Sequence, residues 1–166
     1  MVEAVKSVLS QYFVFNGRAR RSEFWFWVLA TILVRILVAA LEFILGLSYD
    51  GSGVLSGILN LLIFFPGLAV TFRRLHDIGR SGWWIGCFYL SIIFYFILII
   101  FAVSGATVSN SNTNLLAGIG IFSLIFVIGI LVYAIVLLVF FCQDSEAGPN
   151  KYGPNPKNLG NYDIFE

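Results

Sequence analysis

The sequence predicts an all-α membrane protein: four transmembrane helices preceded by a short N-terminal amphipathic interfacial helix. Three observations predict it. Hydrophobic residues make up 59% of the 166-residue chain and charged residues only 11%, with a mean hydropathy of +0.91. That apolar excess is too large for one soluble core to hide. Four long apolar runs each approach or exceed the ~20 residues that cross hydrocarbon. The basic residues gather in alternate connections between those runs.

The elements follow in order. Val2, Val5, Val8, Leu9, Tyr12 and Phe13 recur at helical spacing, with Glu3, Lys6 and Gln11 off that face. This is the pattern of a short helix lying on the inner leaflet. Asn16-Gly17 then turns the chain. The main positive cluster follows the apolar residues, the reverse of a secretory signal. Spans are expected over residues 24–46, 54–72, 83–103 and 115–142, with a tail over 143–166, the whole of 1–166 forming a single integral membrane domain. The runs are continuous, so helices satisfy their backbone in lipid where an open strand does not, and the alternation of an outer-membrane barrel is absent. Pro66 removes a backbone donor inside the second span and should kink it. Residues 73–78 should continue that helix into the headgroup region, with Gly79 ending it and Ser81 capping the next. Cys87 and Cys142 lie in or beside apolar runs, without a metal-ligand pattern, and read as small packing residues.

Orientation follows from charge. Lys6, Arg18, Arg20 and Arg21 precede the first span, Arg73, Arg74 and Arg80 lie between the second and third, and Lys151 and Lys157 follow the fourth. The other two connections hold no Lys or Arg. The positive-inside rule makes the basic side cytoplasmic, with both termini there. Trp25, Trp27, Trp83 and Trp84 fall near that side of their spans, as interfacial anchors do.

Three polar blocks meet at this face: GRARRSEFW over 17–25, RRLHDIGRSGWW over 73–84 and GPNKYGPNP over 148–156. They resemble those of the bacterial inner-membrane family known as domain of unknown function number eight hundred and five, whose pattern is an FxGRxxRxEFW opening, an RRLHDxGxSGWW middle and a closing GxNxYGxxP. The resemblance covers nearly the whole chain. It implies a small multi-spanning protein of the bacterial inner (plasma) membrane and no particular activity.

Six of the seven basic residues in these blocks are Arg. Arg grips phosphate bidentately, and each basic residue near an anionic leaflet contributes ~1 kcal/mol. The first functional reading is therefore non-enzymatic: the face binds anionic lipid headgroups or a protein partner through Arg74, His76, Asp77 and Arg80, supported by Arg18, Arg21, Glu23 and Lys151. The competing structural reading ties helix ends together by ion pairs, with Asp77 reaching Arg73 or Arg74. An enzyme using His76 ranks third, because the neighbouring Asp77 does not face it on a helix. Arg35 and Glu42 lie inside the first span. A central Arg costs roughly 2.5–3.5 kcal/mol on an insertion scale. Seven residues apart, the two share a helix face within ~20°, separated by about 10 Å. They either pair loosely or both face the bundle interior, and the alternative function is a small transporter or channel subunit using that face. No cofactor, metal or nucleic acid is expected; a homo-oligomer is left open.

Overall fold

The computed structural model describes residues 1–49, 52–108 and 113–157. It is all-α, with five helices: α1 (Val2–Ser10), α2 (Arg21–Ile44), α3 (Val54–Asp77), α4 (Trp83–Val108) and α5 (Thr113–Cys142). Helices α2 to α5 are each long and apolar enough to cross a membrane. A two-residue antiparallel pair, β1 (Ser48–Tyr49) and β2 (Ser52–Gly53), closes the α2–α3 hairpin. The chain forms two compact units. One comprises Met1–Gly82 and Gln143–Glu166, the other Trp83–Cys142.

In the first unit the helix ends follow local chemistry. Helix α3 runs on past residue 72 as its sequence requires, and stops after Asp77 because Gly79 adopts φ +70°. That left-handed residue lets Gly79 N donate to His76 O at 3.1 Å and Arg80 N to Leu75 O at 2.9 Å, the paired bonds of a Schellman motif. The same pair closes α2, from Gly46 N to Phe43 O and Leu47 N to Glu42 O. So α2 ends two residues before the expected boundary, and it begins three residues earlier, at Arg21. The expected connections at residues 50–51 and 109–112 lie outside the described residues, as does the tail from 158.

Helix α1 packs on both α2 and α3. Its apolar face buries Val8 completely, while Val5 and Leu9 border a groove with Trp27, Ala30, Thr31, Val34 and Ile63. The contact with α3 has a specific cause. Pro66 sits inside α3 and has no N–H to offer the carbonyl four residues before it, Leu62 O. The Tyr12 hydroxyl donates to that carbonyl instead. Phe13 packs on Phe65 with ring centroids 5.4 Å apart.

The second unit is an aromatic-lined helix pair. Tyr133 donates its hydroxyl to Trp84 O at 2.8 Å, and its ring stacks against Trp84 and Phe88. Further along, Tyr95 and Phe126 lie nearly parallel with centroids 4.2 Å apart. Neither α4 nor α5 contains Asp, Glu, Lys, Arg or His, as lipid demands of most intramembrane positions.

Candidate functional site

The polar blocks converge within the first unit on the C-terminal end of α3. Four α3 residues there are buried despite their polarity: Arg73, Arg74, His76 and Asp77. Burial on this scale requires partners, and the chain supplies them from three directions, leaving Arg73 Nε and Nη2 without one among the described residues.

Arg18 comes from the loop before α2, and its side chain is 1% exposed. Its Nε donates to Asp77 Oδ1 at 3.0 Å. Its Nη2 donates to Asp77 O at 3.2 Å and Glu146 O at 2.7 Å. Its Nη1 donates to Gly148 O at 2.7 Å and Gly153 O at 3.4 Å. One planar guanidinium thus caps the end of α3 and gathers the carbonyls of the returning tail, a use of the fork that a lysine does not match.

Asp77 is filled on both oxygens. Arg74 Nη1 donates to Oδ2 at 2.6 Å, one turn away, and Ser145 Oγ donates to the same oxygen at 2.6 Å. Arg74 Nη2 also reaches Gln143 O. The backbone joins in: Glu146 N donates to Asp77 O at 2.9 Å and Ala19 N to Arg73 O at 3.1 Å. Asn150 Nδ2 donates to His76 O at 2.9 Å and to Glu146 Oε2 at 2.8 Å.

His76 is held flat. Its ring stacks on Tyr152 at 3.8 Å and 7°, Phe72 meets it edge-on, and Nδ1 donates to Gly17 O at 3.3 Å. Lys151 Nζ lies 5.0 Å from the centroid of the Tyr152 ring. Arg73 points the other way, toward α1 and α2: Nη1 donates to Gln11 Oε1 and to Glu23 Oε1, the latter at 3.3 Å, and Ser7 Oγ donates to the same Glu23 oxygen at 3.1 Å.

Exposure sorts the predicted site residues into two groups. Arg18, Arg74, His76 and Asp77 are buried, and Glu23 nearly so. Arg80 and Lys151 face outward, as does Arg20, which also donates to Pro156 O. Arg21 is partly exposed and pairs with Asp144 at 3.0 Å. Lys157 reaches Asp144 too. That hydrogen bond, the Ser145 N–H and the Arg21 guanidinium hold the Asp144 carboxyl below its ordinary range. Sequence reading missed Ser145, Asn150 and Tyr12, whose polar atoms close gaps left by residues far away in the chain. Among the described residues no group of three or more His, Cys, Asp or Glu is placed to hold a metal.

Arg35 and Glu42 separate. Glu42 is 1% exposed and accepts from Ser56 N at 3.0 Å and from Ser56 Oγ. It therefore caps the start of α3, whose first turn has orphan N–H groups. Arg35 remains exposed on α2.

The comparisons agree on one kind of protein. A family model described as a protein of unknown function (DUF805) matches residues 12–154. Inner membrane protein YhaH of Escherichia coli K12 is 41% identical over 151 residues, covering 90% of this chain and 93% of the relative. Inner membrane protein YhaI of the same strain is 32% identical, covering 91% and 92%. The uncharacterized protein YiiR is 26% identical, covering 89% and 88%. No solved structure matches.

Proposed function

This chain belongs to the DUF805 family of proteins of unknown function, and from that premise we propose a non-enzymatic inner-membrane protein whose basic cytoplasmic face binds anionic lipid headgroups. The reading divides the labour between two sets of residues. Arg18, Arg74 and Asp77, with His76 and the tail carbonyls, form the scaffold. Arg20, Arg21, Arg80 and Lys151 present charge outward from it. Both termini and the loop after α3 lie in the cytoplasm on this reading, because the positive-inside bias covers all of them.

The observation that carries the reading is the five-acceptor grip of Arg18. It fixes the loop bearing Arg20 and the tail bearing Lys151 against the end of α3 that leads to Arg80. Exposed cations from three distant segments are thereby set at one end of the unit, where fixed basic charge near an anionic leaflet is attractive.

Native mass spectrometry of the detergent-extracted protein tests this. Wild type should retain phosphatidylglycerol in preference to phosphatidylcholine. Replacing Arg20, Arg80 and Lys151 by Ala should weaken retention by about 5-fold per charge removed. Equal retention of the two lipids by wild type, or undiminished preference in the triple variant, refutes it. A co-purifying protein lost in that variant in place of lipid would assign the face to a protein partner.

A further inference from the structure

Arg35 is the basic residue inside a span that the polar node at the end of α3 does not engage. It sits about 21 Å along the α2 axis from Arg21 and about 13 Å from Ile44, well inside hydrocarbon of roughly 30 Å. It is exposed, and among the described residues it has no hydrogen-bond or ion-pair partner. No acid inside the chain's own spans is free to serve. Helices α4 and α5 contain none, Glu42 is committed to Ser56 and Asp77 lies at the far end of α3.

Snorkelling does not resolve the charge. Helical Cα–Cβ bonds tilt toward the N-terminus, so the Arg35 side chain leans toward the Trp25–Trp27 level, about 12–15 Å away along the axis and no nearer than the other boundary. A second polar side chain lies on the neighbouring helix. Asn60 on α3 is also exposed and without a partner. Counted back from the hairpin, it lies about 9 Å from Val54, against about 13 Å for Arg35 from Ile44. Glu42 and Ser56 bond directly across the α2–α3 seam. Helical rotation sets Arg35 within about 20° of Glu42 and Asn60 within about 40° of Ser56. Both therefore border that seam at similar depth, and both are hydrogen-bond donors.

We propose that this seam is an intramembrane docking site for a transmembrane helix of another membrane protein that carries a carboxylate at the same depth. The carboxylate accepts from the Arg35 guanidinium and the Asn60 amide, giving the intramembrane cation its counter-charge. A second copy of this chain does not fit. Two parallel copies related by an axis along the membrane normal would bring Arg35 against Arg35 at equal depth, and like charges repel.

The test uses the full chain reconstituted in phosphatidylcholine vesicles with a fluorescent single-span reporter helix of Leu and Ala. The reporter carries Glu, Gln or Leu at its midpoint, and association is read by energy transfer. With wild type, the Glu reporter should associate about 3- to 18-fold more tightly than the Leu reporter, the range of intramembrane polar contacts. Arg35→Leu, which makes the span more apolar and so inserts readily, should erase that margin, and Arg35→Lys should keep part of it. Asn60→Leu should reduce it. Equal association of all three reporters overturns the proposal, as does a Glu preference that survives Arg35→Leu. Self-transfer between labelled copies that depends on Arg35 would instead assign the seam to a homo-oligomer. Loss of a bound phospholipid from Arg35→Leu, with no reporter preference in wild type, would assign it to a lipid phosphate. Either result overturns the partner helix.

Discussion

Removing the Tyr12 hydroxyl should matter only while residue 66 is proline. Tyr12→Phe keeps the ring, its contact with Phe13 and the packing of α1, and deletes one donor. In wild type that donor serves Leu62 O, the carbonyl that Pro66 leaves without a helical partner. An unpaired buried carbonyl costs about 1–3 kcal/mol in a protein interior, while side-chain hydrogen bonds inside membranes average about 0.6 and reach about 1.7 kcal/mol. The bond lies on an exposed stretch of the unit, which places Tyr12→Phe near 1 kcal/mol. Pro66→Ala supplies the missing N–H and makes the hydroxyl redundant. Pro66 is itself buried, so the single variant mixes packing with hydrogen bonding. The double-mutant cycle isolates the coupling. Unfolding titrations in mixed micelles of all four proteins should give a coupling of about 1 kcal/mol, with Tyr12→Phe nearly neutral in the Pro66→Ala background. An equal cost of Tyr12→Phe in both backgrounds would refute the reasoning.

Other expectations follow from the same geometry. Arg18→Ala leaves Asp77 buried with one guanidinium fewer and should cost roughly 3–5 kcal/mol, read as protease cleavage within residues 143–157. Arg18→Lys should not restore protection, because a point charge does not span the same acceptors. Gly53→Ala sets a Cβ 1.9 Å from the Glu42 carboxylate carbon; it should push Glu42 off the start of α3 and lower the midpoint of thermal unfolding, and Glu42→Ala should make the same substitution better tolerated. Acid should loosen the tail late. The Asp144 carboxyl is held below its ordinary value, so its contribution is present above the unfolded carboxylate range and fades as pH falls through the depressed value. A spin label in the tail should therefore show a mobility rise below about pH 4 that is absent from Asp144→Asn, whose tail lacks that restraint at every pH.

Composition and hydropathy made the architecture legible, because lipid admits few backbone solutions. The spans, the continuation of α3 to Asp77, the stop at Gly79 and the pairing of Asp77 with Arg74 all rest on local signals, period 3.6 and one-turn spacing. The node was legible only in its ingredients. Nothing local shows that Arg18 reaches the carbonyls of Gly148 and Gly153, or that Ser145 meets Asp77, since these contacts join residues far apart in the chain and depend on how the helices return. The pairing of Tyr12 with Pro66 was hidden for the same reason, although the proline announced an orphan carbonyl. Arg35 and Glu42 stand out in the sequence as charges within a span, but helical periodicity does not tell which of two residues on one face turns toward a neighbour.

The returning tail has a consequence for how the protein is made. Ser145, Glu146 and Gly148 supply contacts that Arg18 and Asp77 need, yet they are translated long after both. While α4 and α5 are being threaded into the bilayer, the first three helices must wait with the Arg18–Asp77–Arg74 cluster still lacking its hydrogen bonds from the tail. A ribosome stalled before residue 143 would hold a chain whose membrane segments are all present and whose oldest part is still open to proteases.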